Sequence, residues 1–225
     1  MRILTKKQSQ DLDHISMDKF GISGQTLMGN AGNEIANVIK DYGGKVFLTE
    51  NDHAVGSDRV YEIYLKKIKN NVDLIINLQG DMPNIKPDSI SKLEELTRSN
   101  KCDIGTLASS IDHKDDILDP NIVKVHVEET LKDDNFLNAK DFFRIKNNLS
   151  NEKIYHHIGI YAYTNIAIKK YVNFSRSKLE KERNLEQMRA VENNMIIKVG
   201  LSDSTPLSID TDIDLKKVSE KMKKL

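Results

Sequence analysis

The stretch Leu74–Pro83, LIINLQGDMP, decides the fold class of this 225-residue chain. Its apolar run Leu74–Leu78 has the length of a buried strand and stops abruptly at Gln79, Gly80 and Asp81. In open α/β sheets, ligands bind at the carboxyl ends of the strands. The stretch therefore predicts an α/β protein in which the Asp81 carboxylate is exposed at the ligand-binding edge of the sheet.

Short apolar runs alternate with helical patterns on both sides of this stretch. The apolar runs predict strands at Val46–Thr49, Val72–Leu78, Ile104–Ala108, Ile122–Val127, His157–Tyr163 and Ile196–Gly200. The helical patterns predict helices at Asp58–Lys69, Pro87–Arg98, Lys178–Asn193 and Ile213–Lys224. A more charged stretch runs from Pro120 to Glu152. Alternation of this kind is typical of crossover units, so we predict a mainly parallel sheet.

Composition and charge exclude several classes of protein. Hydrophobic residues make up 38% and charged residues 30% of the chain, as in ordinary globular domains. Lys plus Arg and Asp plus Glu both total 34, so the global basic field that drives nucleic-acid binding is absent. No run approaches the roughly 18 apolar residues of a membrane span, and the start lacks the apolar core of a signal peptide. The single cysteine, Cys102, fits a reducing compartment. We expect a cytoplasmic protein with no nucleic-acid or membrane partner.

The first forty residues have a different pattern. Apolar spacings near three and four predict two short helices, about 6–19 and 25–41, which end before Gly43. We therefore predict a helical segment at 1–42 and an α/β domain at 43–225.

This helical segment carries a resemblance of its own. MRILTKKQSQDLDHISMDKFGISGQTLMGNAG, residues 1–32, resembles the opening of an NAD(P)H-hydrate epimerase. That family binds its nucleotide and potassium with a later NNGGDG-like loop, which this sequence lacks. Epimerase activity is therefore the least favoured function. The alternative for the small residues Gly29–Gly32 is a tight helix contact.

Five motifs follow the helical segment in a fixed order. They are KVFLTENDHAVGSDRVYEI (45–63), NLQGDMP (77–83), HHIGIYAY (156–163), LEKERNLEQMR (179–189) and SIDTDIDL (208–215). Together they resemble 3-deoxy-manno-octulosonate cytidylyltransferase, the CMP-Kdo synthetase family, over residues 45–225. The resemblance implies a nucleotidyltransferase-type, Rossmann-like fold and a homodimer. It also implies transfer of CMP from CTP to 3-deoxy-manno-octulosonate (Kdo), with release of pyrophosphate, for lipopolysaccharide synthesis.

The resemblance implies nucleotide contacts for Ser57, Arg59 and Gln79. HAVGSDR stands in the place of the family's H-x-S-G-T-D-R turn, which helps to hold the cytosine and ribose. From the residues alone, Ser57 and Asp58 could instead cap the helix that follows. Both interpretations can hold, because a helix start leaves backbone N–H groups available to a ligand.

Two aspartates predict a Mg²⁺ site. Mg²⁺ is held by one or two carboxylates together with phosphate oxygens, and Asp81 is the natural first ligand. Taken alone, GDMP could equally be a turn. SIDTDIDLKKV resembles the family's VDTPEDLERV, which implies that Asp210 is the second metal-binding and catalytic aspartate beside Asp81. We expect Asp212 and Asp214 in the first turn of the last helix, where the dipole favours negative charge.

The resemblance also implies a sugar site. Its predicted members are Arg144, His157, Tyr161, Glu186 and Gln187. Arg144 is the candidate for a bidentate contact with the sugar carboxylate. Each residue taken singly has a structural alternative. A histidine beside apolar residues is usually a satisfied core residue, and a helix rich in Glu, Lys and Arg is usually a solvated face.

One part of the family pattern is absent from the sequence. The family begins with a first strand and a loop of the form PAR-x-x-S-x-R-x-P-x-K-P, which binds the triphosphate, and no such loop occurs here. We expect at least one crossover unit, about 30 residues, to be missing before Lys45. The alternative function is therefore a non-catalytic relic, or a fusion of two gene fragments, that keeps only the sugar-binding and dimer-forming half.

Overall fold

The computed structural model describes residues 18, 19, 33, 36–69, 71–111, 114–145, 153–209, 214, 216 and 218–220. The helices are α1 (Gly56–Ile63, continued by a π-helical turn at Tyr64–Ile68), α2 (Pro87–Ser99), α3 (Lys114–Leu118), α4 (Asn165–Val172), α5 (Lys178–Arg183) and α6 (Gln187–Glu192). The strands are β1 (Leu74–Asn77), β2 (Ile104–Ser109), β3 (Lys124–Val127), β4 (Phe136–Phe143), β5 (Lys153–Thr164) and β6 (Ile197–Leu201). None of the helices among these residues is long and apolar enough to cross a membrane.

The strands form one sheet in the order β1-β5-β2-β6-β4-β3. A further pairing of β3 with β5 joins β5, β2, β6, β4 and β3 into a closed ring. The long strand β5 makes this possible, because β3 pairs with residues 153–156 and β1 pairs with residues 161–164. The middle of β5 therefore lies where the ring and β1 diverge.

The prediction of a mainly parallel sheet is wrong for the strands that the structure describes. Only β2 and β6 pair in parallel. The other pairings are antiparallel. The physical reason is that β3 and β4 are joined directly by residues 128–135, and antiparallel neighbours need no crossover helix. The α/β class itself is confirmed.

Most of the predicted elements are present within the described residues. Every predicted strand from Val72 onward is confirmed, whereas 46–49 forms no strand. The predicted helix Lys178–Asn193 is two helices, because Asn184 adopts a left-handed φ of 52° at the end of α5. Residues 36–41 are helical, as predicted for 25–41. Most of segment 1–42, and much of the predicted last helix, lies outside the described residues.

An apolar cluster lies on each face of the sheet. β1 shows the alternation, because Ile75 packs into one cluster while Leu74 and Ile76 pack against the other. The first cluster includes residues of α4 and α6, and the second includes Leu93 of α2. The sheet therefore lies between α4 and α6 on one face and α2 on the other.

Candidate active site

A cleft of about 1210 Å³ contains most of the predicted site residues. It is bordered by the segment after β1, the loop before β3, the middle of β5, the start of α6 and residues 205–208. The predicted residues on its walls are Gln79, Asp81, Arg144, His157, Tyr161, Glu186 and Gln187. Concave sites of this size suit ligands larger than a single ion. The structure therefore brings the whole predicted sugar set together with Gln79 and Asp81.

Asp81 is exposed at the cleft and anchors a second segment of the chain. Its Oδ2 accepts a hydrogen bond from Ser208 Oγ at 3.2 Å. Its carbonyl oxygen accepts one from the backbone N–H of Ile209 at 3.0 Å. Asn84 Oδ1 holds the same segment through the backbone N–H of Leu207 at 2.9 Å. Asp210, the predicted second metal ligand, follows Ile209 in the sequence and lies outside the described residues.

The carboxylate oxygens around Asp81 suit a hard cation. Asp81 and Asp214 both border the cleft, and carboxylate oxygens are the protein ligands that Mg²⁺ prefers. Across the described part of the chain, no group of three or more His, Cys, Asp or Glu side chains is arranged to hold a metal ion. The chemistry of the donors thus fits a site that uses one or two carboxylates and completes its shell with phosphate oxygens.

Ser57 is fully buried and lies outside the cleft wall. Its hydroxyl bonds the hydroxyl of Tyr163 at 3.0 Å and donates to Oε2 of Glu186 at 3.2 Å. The N-cap of α1 is Val55, whose side chain makes no capping bond. The interpretation of Ser57 as the helix cap is therefore wrong. Asp58 does lie in the first turn of α1, where the helix dipole favours a carboxylate.

Arg59 lies away from the cleft. Its guanidinium donates to Oγ1 of Thr49 at 2.8 Å and to the carbonyl oxygen of Glu50 at 3.1 Å. The structure thus does not bring it to the residues that surround Asp81, and its nucleotide contact stays a prediction.

Arg144 borders the cleft and, like Lys124, donates hydrogen bonds to carbonyl oxygens of residues 119–122. Its Nη1 donates to the carbonyl oxygens of Pro120 at 2.9 Å and Asn121 at 3.3 Å. The fully buried Lys124 donates from Nζ to the carbonyl oxygens of Asp119 at 2.5 Å, Ile122 at 2.9 Å and Arg144 at 2.8 Å. Burial lowers the pKa of Lys124, although Asp119 opposes that shift. Sequence reasoning missed this residue, and its signal was a lysine inside a predicted strand.

His157 is both a core residue and a cleft residue. Its Nε2 bonds Oγ1 of Thr106 at 3.0 Å, and its ring packs edge-on against Phe142 at 5.0 Å between ring centres. Burial lowers the pKa of His157 to about 3, so the imidazole is neutral near pH 7. Burial also raises the pKa of Tyr161, which keeps that phenol protonated. Both side chains line the cleft and are neutral near pH 7.

Glu186 and Gln187 are held by the break between α5 and α6. Oxygens of Glu180 accept bonds at 2.8 Å from Nε and from Nη2 of Arg189, which ties the two helices together. Tyr171 donates to the carbonyl oxygen of Glu186 at 2.9 Å. Burial raises the pKa of the Glu186 carboxyl, against hydrogen bonds from Ser57 that lower it.

The alternative that this region is a solvated helix face is wrong for α6. Gln187, Met188, Arg189 and Ala190 are all buried there. Burial of Gln187, next to the half-buried Glu186, gives the cleft two polar side chains with restricted freedom.

Comparisons with known proteins agree with this arrangement. A family model described as cytidylyltransferase matches residues 32–198. The chain is 39% identical over 196 residues to the 3-deoxy-manno-octulosonate cytidylyltransferase of Bartonella tribocorum, covering 87% of this chain and 80% of that relative. It is 41% identical over 183 residues to the enzyme of the same name from Rhodopseudomonas palustris, covering 81% and 74% respectively.

A solved structure supports the same assignment. CMP:2-keto-3-deoxy-manno-octonic acid synthetase complexed with CTP matches with a TM-score of 0.74 and 29% identity, covering 85% of this chain and 77% of that one. The nucleotidyltransferase-like α/β fold is thus shared with a CTP-bound relative. The chain belongs to the 3-deoxy-manno-octulosonate cytidylyltransferase family.

Proposed function

We propose that this chain transfers CMP from CTP to 3-deoxy-manno-octulosonate and releases pyrophosphate. The observation that carries the proposal is the single cleft that joins Asp81 and Gln79 to the predicted sugar residues. Relatives with this name cover most of the chain, and the solved relative is a complex with CTP. The motif order that suggested the family also supplies the walls of the cleft.

The reaction sets simple chemical demands on the cleft. A hydroxyl of the sugar acid attacks the α-phosphorus of CTP, a new phosphorus–oxygen bond forms, and the bond to pyrophosphate breaks as the hydroxyl proton leaves. Such transfers depend on alignment of the two substrates and on stabilisation of phosphate charge. The cleft must therefore hold two anionic substrates in line beside Asp81.

The sugar side is proposed to consist of Arg144, His157, Tyr161, Glu186 and Gln187. The Arg144 guanidinium offers two parallel donors that match a carboxylate. Neutral His157 and Tyr161 and the acceptor oxygens of Glu186 suit sugar hydroxyls. A site built from such groups rejects analogues that lack a hydroxyl, because its buried polar atoms would be left unpaired.

The nucleotide side is proposed to include Gln79, with Arg59 kept from the family pattern. Gln79 borders the cleft next to Asp81. Asp81 and Asp210 would hold Mg²⁺, which when bound would offset negative charge on the phosphates. The exposed carboxylate of Asp81 and its contact with the Ser208–Ile209 segment support this assignment.

Several finer features remain part of the proposal. They are a separate helical segment at 1–42, a missing first strand and phosphate loop, a homodimer and a cytoplasmic location. The homodimer and the missing loop rest on the family pattern, and the location rests on composition. Light scattering tests the dimer, since a monomer at working concentration would refute it.

Product analysis tests the proposed acceptor. The full-length protein is incubated with CTP and Mg²⁺, with Kdo in one sample and N-acetylneuraminate in another, and sugar nucleotides are measured by mass spectrometry. We expect a CMP conjugate with Kdo only. Formation of the other conjugate at an equal rate would contradict the proposed specificity.

A further inference from the structure

We infer that Ser57, supported by Tyr163, is a positioning residue that fixes the carboxylate of Glu186 at the cleft. The inference rests on the proposed function, because it concerns a residue of the proposed sugar site. In this inference the Ser57 hydroxyl bonds the Glu186 carboxylate within the protein and does not contact the nucleotide directly.

The geometry assigns a direction to the hydrogen bonds. Ser57 is 0% exposed, and its single hydroxyl proton points to Oε2 of Glu186 at 3.2 Å. The Tyr163 hydroxyl, 3.0 Å from Ser57 Oγ, must then donate to Ser57. The result is a chain of donors from Tyr163 through Ser57 that ends on a carboxylate. The hydrogen bonds in such a chain strengthen one another when they are buried.

This chain fixes the one mobile part of Glu186. The backbone of Glu186 is already held by the Tyr171 hydroxyl at 2.9 Å. Glu186 is one of the residues that line the cleft, and a carboxylate left free there would have to lose rotamer freedom when a ligand binds. A carboxylate already held by Ser57 avoids that loss, so Ser57 contributes to sugar binding without touching the sugar.

The groups around Glu186 come from four elements. They are Ser57 and Asp58 of α1, Tyr161 and Tyr163 of β5, Tyr171 of α4, and Arg189 of α6. Burial raises the pKa of Glu186, and the hydrogen bonds from Ser57 are the main influences that lower it. Loss of the Ser57 hydroxyl should raise this pKa further. If the ionised carboxylate binds the sugar, the acidic limb of the pH profile then moves to higher pH.

The test uses the full chain with CTP, Mg²⁺ and Kdo. Ser57→Ala removes the hydroxyl, Ser57→Thr keeps one, and Tyr163→Phe removes the supporting donor. Ser91→Ala, at an exposed serine of α2 that bonds the carbonyl oxygen of Pro87, is the matched control. Thermal melts accompany each variant, and Ser57→Thr and Tyr163→Phe still test the inference if Ser57→Ala fails to fold.

We expect Ser57→Ala to lower kcat/KM for Kdo about tenfold, as loss of one hydrogen bond to a charged group would. The KM for CTP should change less than about twofold, and the acidic limb should move to higher pH. Ser57→Thr should restore activity to within about threefold, and Tyr163→Phe should show a smaller loss in the same direction.

Two results would overturn the inference. One is an equal rise of KM for CTP and Kdo in Ser57→Ala, which would make Ser57 a nucleotide contact. The other is a folded Ser57→Ala protein with unchanged constants for Kdo. Absence of turnover in the unsubstituted chain would instead refute the proposed function. In that case the affinity for Kdo is measured by calorimetry for the unsubstituted chain and for Ser57→Ala. Equal affinities would still overturn the inference.

Discussion

The backbone N–H of Ile209 donates a 3.0 Å hydrogen bond to the carbonyl oxygen of Asp81. The bond joins the segment after β1 to the segment that precedes Asp210 in the sequence, and Ser208 Oγ donates a second hydrogen bond to the Asp81 carboxylate. Asp81 and Ser208 are 127 positions apart in the sequence and thus meet at the cleft. This contact is the structural basis for pairing the two aspartates in one proposed metal site.

Asp81→Asn and Asp210→Asn should each lower kcat by about 100-fold or more, because each removes a carboxylate that would hold the Mg²⁺ ion, and that ion would offset the phosphate charge. The apparent affinity for Mg²⁺, measured by titrating the metal with CTP present, should fall in both variants. Asp88→Asn in the first turn of α2 is the matched control and should change kcat little. A fully active Asp210→Asn protein would remove that residue from the site.

His157 should make the protein less stable as the pH falls. Its folded pKa is about 3 and its ordinary value is 6.5, so the unfolded chain binds the proton first. The loss should begin near pH 6.5, continue towards pH 3, and reach about 2 kcal/mol by about pH 5. In urea unfolding, the stability advantage over His157→Gln should shrink between about pH 7.5 and pH 5. A constant difference would show that the imidazole titrates normally.

Lys124 should support both the fold and the proposed sugar site. Lys124→Met leaves three carbonyl oxygens without their donor, so we expect a loss of about 3 kcal/mol of unfolding free energy. We also expect a higher KM for Kdo, because Arg144 loses its anchor. Lys140→Met, at a partly exposed ion pair with Glu128, should cost less than about 1 kcal/mol. Equal effects of the two substitutions would contradict this account.

Gly105 sets how closely α2 approaches the sheet. A Cβ at this position would lie 2.1 Å from Oγ1 of Thr97 and 3.2 Å from Cδ1 of Leu93. Gly105→Ala should therefore lower the unfolding free energy by about 2 kcal/mol through overpacking. In Gly56→Ala the added carbon would meet only Nδ2 of Asn77 at 3.8 Å. Chemical denaturation should therefore show a much smaller loss of unfolding free energy for this variant than for Gly105→Ala. A neutral Gly105→Ala would mean that α2 can shift without cost.

The sequence allowed the main elements to be predicted but not how the strands pair. The buried strand β2 was predictable because its sequence, IGTLAS, contains no charged residue and is buried along its whole length. β4 was missed because polar residues interrupt its apolar residues. Asn138, Lys140 and Asp141 give this strand the composition of a charged loop. The direction of each pairing depends on contacts between distant strands, which periodicity does not encode.

The candidate site was predictable to the extent that motifs mark the ends of elements. Asp81 reaches the cleft in the segment after β1, and Glu186 and Gln187 reach it where α6 begins. The bonds of Ser57 were not predictable, because Tyr163 and Glu186 lie 106 and 129 positions away in the sequence. The bonds of Lys124 were missed because hydrophobic periodicity does not show which carbonyl oxygens a buried lysine reaches. The break at Asn184 was likewise missed, since a single left-handed residue leaves the charged helical pattern unchanged.

The most direct test of the account is pyrophosphate release by the purified full-length chain. The chain is supplied with CTP and Mg²⁺, with and without Kdo, and Asp81→Asn serves as the inactive reference. We predict release that depends on Kdo and is lost in the variant. No release from a folded protein would contradict the proposed activity and favour a non-catalytic relative that keeps only the sugar-binding half.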